Sequence, residues 1–134
     1  MNPTIERLRD AVNRHDLDAM AALFAPDYRS AQPVHPNRGF GGQEQVVANW
    51  SAMFRGVPDL QVDVVRETTE ASECWAEWVW RGSHGDGSAF LMKGVTVMSL
   101  DDDGLIARAS LYMEPVEQDS VPIDDAVRQL SGSP

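Results

Sequence analysis

The side chains of this sequence that could act as a general base or a nucleophile near neutral pH are few: three histidines and one cysteine. His35 lies in a Pro- and Gly-rich segment near Gln32 and Arg38. There it could be a general base at the mouth of a pocket, or an ordinary solvent-exposed loop residue. The other two histidines, in a Gly-rich turn and between two helical patterns, are assigned no role. Cys74 falls on an apolar face without a partner base, so we expect a buried small side chain.

No pattern in the sequence predicts a metal or a cofactor. Asp101, Asp102 and Asp103 are consecutive and precede Gly104, which is typical of a solvated hairpin turn. Calcium loops instead space their carboxylates alternately and add a distant glutamate. Phosphate-binding and dinucleotide-binding glycine motifs are absent from the sequence.

Composition narrows the classes of partner. The 134 residues include 21 acidic and 11 basic side chains, for a net charge of −10. This charge repels phosphate backbones and anionic lipids, so nucleic acid and membranes are poor candidate partners. No stretch approaches the ~20 apolar residues of a membrane span, and the charged N-terminus does not resemble a signal peptide. We therefore expect one cytoplasmic domain over residues 1–134, with a small molecule as its partner.

Helical patterns occupy the first part of the chain. The first follows Pro3, and the second starts at an N-cap Asp16 and stops before Pro26. A loop-like segment with a short strand at residues 28–32 comes next. The third helix is predicted from about Gln43 to Arg55.

From residue 60 onward the hydrophobic period changes to two, which predicts strands. We expect them at about residues 60–69, 74–81, 89–100 and 105–115, followed by a short helix that docks through Ile123, Val127 and Leu130. Helices followed by a run of strands predict the α+β class, with about three N-terminal helices on one face of a curved antiparallel sheet.

Alternation in the later strands separates an apolar face from a mixed face. The apolar face should meet the helices, and its small residues, such as Gly94 and Ala109, either let helices approach closely or leave room for a ligand. The mixed face, which includes Arg108, Tyr112 and Glu114, is a candidate homodimer interface.

The large apolar side chains could wall a pocket for a flat ring system, or could form a plainly packed core. The candidate ligand-binding residues are Trp50, Phe54, Trp78, Trp80, Met98, Leu111 and Met113.

Residues 13–20 (NRHDLDAM) and 23–27 (LFAPD) resemble the opening of the SnoaL-like polyketide cyclases. Further matches occur at residues 42–44, 58–60, 80–84, 103–106 and 127–130, so the resemblance covers about residues 5–130. It implies the cone-shaped α+β fold that this family shares with ketosteroid isomerase, scytalone dehydratase and limonene epoxide hydrolase. The fold carries unrelated chemistries, so activity must be argued from the site.

The resemblance also shows which catalytic groups this chain lacks. Gln32 stands at the position of the isomerase's catalytic aspartate, and Leu8 and Thr96 stand at its two oxyanion donors. The histidine and aspartate of the cyclases correspond to Thr96 or Met98, and to Ala109 or Leu111.

If the last strand were turned over, a different set of residues would enter the pocket and restore acid–base chemistry. These reserve residues are Arg108, Tyr112 and Glu114.

The residues and the family resemblance leave two candidate functions. The first is a cofactor-free enzyme that cyclises, isomerises or dehydrates a hydrophobic, polycyclic or polyketide-like molecule, with Gln32, His35 and Thr96 as candidate catalytic residues. The second is a ligand-binding or dimerisation module that has lost its acid–base residues.

Overall fold

A computed structural model describes residues 1–132 of the chain. The helices are α1 (Pro3–Asn13), α2 (Leu17–Ala21), α3 (Gln43–Gly56) and α4 (Ile123–Ser131). The strands are β1 (Phe24–Ala31), β2 (Phe40–Gly41), β3 (Gln61–Glu70), β4 (Glu73–Ser83), β5 (Ala89–Leu100) and β6 (Ile106–Pro115). A short 3₁₀ helix, Pro36–Arg38, lies between β1 and β2. The α+β class predicted from the sequence is confirmed.

The sheet has six strands in the order β2-β1-β6-β5-β4-β3. Its pairs are antiparallel, as predicted, except that β1 runs parallel to β6. A parallel pair needs a long crossover connection, which α3 and the β3–β5 meander supply here. The sheet is therefore mixed, and its curl carries the helices on its inner face.

The helix starts follow the sequence signals. The Asn2 side chain accepts hydrogen bonds from the backbone N–H of Thr4 at 2.9 Å and of Ile5 at 3.4 Å, and Asp16 caps α2 in the same way. The predicted end of α2 is wrong, because the chain is already extended at Phe24 and Pro26 belongs to β1. Pairing of β1 with β6 is irregular between residues 24 and 29. Pro26 can therefore lie in the strand, because its missing N–H does not interrupt a regular ladder of hydrogen bonds.

The predicted inner face of the sheet is confirmed in β4 and in most of β6. Trp78, Trp80, Ala109 and Met113 are buried, whereas the reserve residues of β6 point away from the helices. Ala107 is the exception: alternation puts it on the same face as Ala109, but a β-bulge leaves it without a partner opposite β5. The bulge turns the strand over locally, so that the fully buried side chain is that of the preceding isoleucine.

Gly94 has a role that its place in the strand pattern did not indicate. A Cβ atom at this position would lie 1.9 Å from the carbonyl oxygen of Tyr112 on the neighbouring strand. The small residue therefore allows close approach of β5 and β6, rather than of a helix or a ligand.

The C-terminal helix α4 forms as predicted, but the expected docking of its apolar stripe is wrong. Ile123, Val127 and Leu130 are 74%, 52% and 89% exposed. The helical residues of the core come from α1, α2 and α3, and within residues 1–132 no side chain of α4 belongs to it. In the described residues no helix is long and apolar enough to cross a membrane.

Candidate functional site

A cavity of about 270 Å³ lies between α1, α3 and the inner face of the sheet. This volume is just below the roughly 300–1,000 Å³ of typical ligand pockets. Six predicted ligand-binding residues line it: Trp50, Trp78, Trp80, Met98, Leu111 and Met113. Gln32 and Thr96 line it as well. The inner face is therefore hollow at this point rather than fully packed.

Two aromatic contacts shape the wall. The rings of Trp50 and Trp80 meet edge to face, with their centroids 5.2 Å apart and their planes at 64°. The indole Nε1–H of Trp78 donates a 2.9 Å hydrogen bond to Oγ1 of Thr96, and both residues are buried. Because Thr96 accepts this bond, its own O–H remains a donor.

A row of polar side chains on β1 lines the cavity from one edge. Tyr28, Ser30 and Gln32 alternate along the extended chain and all belong to the wall. Burial raises the pKa of Tyr28, although a hydrogen bond from Ser30 partly opposes this shift. Tyr28 is therefore a neutral phenol near pH 7. Neither Tyr28 nor Ser30 was predicted from the sequence, although their i, i+2 spacing was an available signal.

The cationic group of the wall comes from the loop after β1. Nη1 of Arg38 donates to Oε1 of Gln32 at 3.1 Å. The 3₁₀ helix Pro36–Arg38 brings this side chain back toward the strand it follows.

His35 lies outside the cavity wall. Its Nε2 is 2.6 Å from Oε1 of Glu114, and both side chains are partly exposed. The bond joins the β1–β2 loop to the outer face of β6. The structure therefore places the imidazole of His35 against a reserve residue and outside the cavity that Gln32 and Thr96 line.

Phe54 also lies outside the wall. Its ring stacks on that of His15, with centroids 4.1 Å apart, and Nε2 of His15 bonds to the carbonyl oxygen of Leu60 at 2.9 Å. His15 has a left-handed φ of 54°, unusual for a residue with a side chain, and these two contacts hold it there.

The positions that the family resemblance matched to catalytic groups all line this cavity. Leu8, Gln32 and Thr96 line it, and so do Met98, Ala109 and Leu111. All six side chains are uncharged. Among residues 1–132, no carboxylate or imidazole lines the cavity, and no group of His, Cys, Asp or Glu could hold a metal. The arrangement can bind apolar rings and donate hydrogen bonds to oxygen, but it offers no general base near neutral pH.

The family follows from comparison with known sequences. A model of the SnoaL-like domain matches residues 5–109, and the chain belongs to this family. No curated protein sequence matches it.

Solved structures share the fold, which is that of the ketosteroid isomerase-like and NTF2-like proteins. IdmH of Streptomyces antibioticus, a candidate polyketide cyclase, is 22% identical, with 83% of this chain and 89% of that chain covered and a TM-score of 0.73. A candidate ketosteroid isomerase from Kribbella flavida is 18% identical, with 92% and 84% covered and a TM-score of 0.71. RV0760c of Mycobacterium tuberculosis, in complex with estradiol-17beta-hemisuccinate, is 20% identical, with 81% and 89% covered and a TM-score of 0.70.

Proposed function

We propose that this protein binds a small apolar ring compound in the cavity, without a cofactor. The observation that carries the proposal is the hollow inner face, where Trp50, Trp78 and Trp80 surround about 270 Å³ of space. Aromatic walls with a few fixed polar groups are typical of small-molecule sites. The volume favours one or two rings over the polycyclic ligand expected from the sequence.

Cofactor-free cyclisation, isomerisation or dehydration is the second candidate. The O–H groups of Tyr28 and Thr96 are donors in a largely apolar cavity, where they could stabilise an oxyanion that develops during such a reaction. IdmH, which shares the fold, is described as a candidate polyketide cyclase. We favour simple binding over this candidate because no general base lines the described cavity.

Binding can be tested with 1-naphthylacetamide, a neutral two-ring probe. We expect it to raise the melting temperature of the protein, because a ligand at 100 times its Kd stabilises the folded state by about 2.7 kcal/mol. Ala109→Leu adds bulk to the cavity wall and should abolish this rise, whereas Ala107→Leu, two residues away on the bulge and outside the wall, should keep it. Equal binding by both variants would place the ligand elsewhere, and no rise in the wild type would contradict an open pocket.

Catalysis by donors can be tested with 2-naphthol. If the O–H groups stabilise oxyanions, bound 2-naphthol should ionise at a lower pH than free 2-naphthol, as read from its absorbance. Tyr28→Phe should reverse the shift. An unchanged ionisation of the bound probe would leave binding as the function of the site.

The homodimer and the cytoplasmic location stay predictions. The outer face of the sheet exposes Val65, Trp75 and Tyr112, which supports the proposed interface. Sedimentation velocity should give a dimer for the wild type and a monomer for Trp75→Arg. A monomeric wild type would contradict the prediction.

A further inference from the structure

The polar end of the cavity presents hydrogen-bond donors to a ligand. Arg38 carries five N–H donors and no acceptor, and one of them bonds to the amide oxygen of Gln32. What this pair offers the cavity is therefore mainly N–H groups. Tyr28 belongs to the same wall, and its phenol O–H is a further donor. A ligand that forms hydrogen bonds with these donors must therefore supply acceptor oxygens.

Arg38 also lacks a counter-ion. Four other arginines form ion pairs within 4 Å: Arg9, Arg66, Arg81 and Arg128. Within residues 1–132, Arg38 has no such partner, and no acidic side chain lines the cavity. The other arginines without an ion pair in residues 1–132 are outside the cavity wall. Arg38 differs from them because it brings an unpaired positive charge to an apolar cavity. Glu114, on the strand next to β1, is bonded to His35 instead.

We propose that the ligand of this cavity is a one- or two-ring compound with an anionic oxygen group, most simply a carboxylate. The proposal rests on the proposed binding function and narrows its ligand class. The guanidinium of Arg38 would pair with the two oxygens in a fork, with the amide N–H of Gln32 beside it. The rings would lie against Trp50 and Trp80. The net charge of −10 would repel an anionic ligand, but physiological salt screens this repulsion over long distances. The contact with Arg38 would be direct and is therefore screened less.

Matched acids and amides separate charge recognition from ring binding. Calorimetric titration at neutral pH would compare 1-naphthylacetate with 1-naphthylacetamide, and phenylacetate with phenylacetamide. We expect each acid to bind the wild type about tenfold more tightly than its amide, in the range of one charge-assisted hydrogen bond. Arg38→Met should make each acid bind as weakly as its amide and leave the amide affinity unchanged. Arg38→Lys should keep part of the preference, since it keeps the charge but loses the fork.

Arg55→Met is the matched control, because it removes the same charge from a residue that bonds to Ser51 outside the cavity wall. It should bind both probes like the wild type. Equal affinity of acid and amide in the wild type would overturn the proposed anion group while leaving ring binding intact, and so would a preference that survives in Arg38→Met. Failure of every probe to bind would contradict the proposed binding function itself, and this inference with it.

Discussion

The buried bond between Trp78 and Thr96 allows a structural role for Thr96 to be separated from a catalytic one. Thr96→Val replaces the hydroxyl with a methyl group of nearly the same shape and leaves the indole Nε1–H without its 2.9 Å acceptor. Both residues are only 3% exposed, so this N–H should stay buried and unsatisfied. An orphaned buried donor costs about 1–3 kcal/mol of unfolding free energy.

This cost converts to a measurable melting shift. At about 2.1 cal/mol/K per residue, the 134 residues correspond to an unfolding entropy of about 0.28 kcal/mol/K. The expected loss in Thr96→Val is therefore a fall of about 4–11 °C in Tm. Urea unfolding should show a matching shift in midpoint with an unchanged slope. Thr68→Val, at an exposed position of β3, is the control and should change stability by less than about 0.5 kcal/mol.

A double-mutant cycle tests the assignment of the cost to this pair. Trp78→Phe removes the donor, so adding Thr96→Val to it should cost less than Thr96→Val alone, with a coupling of about 1 kcal/mol. Additive effects, or a Thr96→Val variant as stable as the Thr68→Val control, would refute the reasoning. Either result would mean that the indole N–H is satisfied without Thr96, for example by water in the cavity.

The remaining predictions concern the sheet, the phenol and the loop. Gly94→Ala should lower the urea midpoint by the equivalent of at least ~1–3 kcal/mol, because its Cβ would meet the backbone of β6; a wild-type midpoint would contradict the close approach. In Tyr112→Phe, which leaves Tyr28 as the remaining tyrosine, absorbance should show ionisation above the usual pKa of ~10. Because folding raises this pKa, the contribution of Tyr28 to the free energy of unfolding is complete below pH ~10 and is lost as pH rises through the pKa of the folded state. A phenol that ionises like free tyrosine would refute the burial of Tyr28. His35→Gln and Glu114→Gln should each speed amide hydrogen exchange in residues 32–39 with little change in Tm; unchanged exchange would show that their bond does not hold the loop.

Local signals in the sequence were enough to predict the fold class and the inner face of the later strands. The alternation of large apolar and polar residues in β4 and β6 predicts that Trp78, Trp80 and Met113 point toward the helices, and they do. Such patterns are readable because the burial of each side chain follows from the period of its own strand. The absence of charged side chains from the part of the wall that these strands supply follows from the same periods.

Other features depend on contacts between distant parts of the chain and could not be read locally. The bulge at Ala107 and the parallel pairing of β1 with β6 are settled by how strands fit together across the sheet. The α4 stripe has a helical period in the sequence, but only the tertiary structure shows that it is exposed rather than docked. Arg38 and Gln32 are near in sequence, yet their place in the wall of a tryptophan-lined cavity requires the loop after β1 to fold back toward that strand. In the regular part of a strand the sequence period determines which way a side chain points, whereas bulges and the groups that a side chain meets are determined by packing.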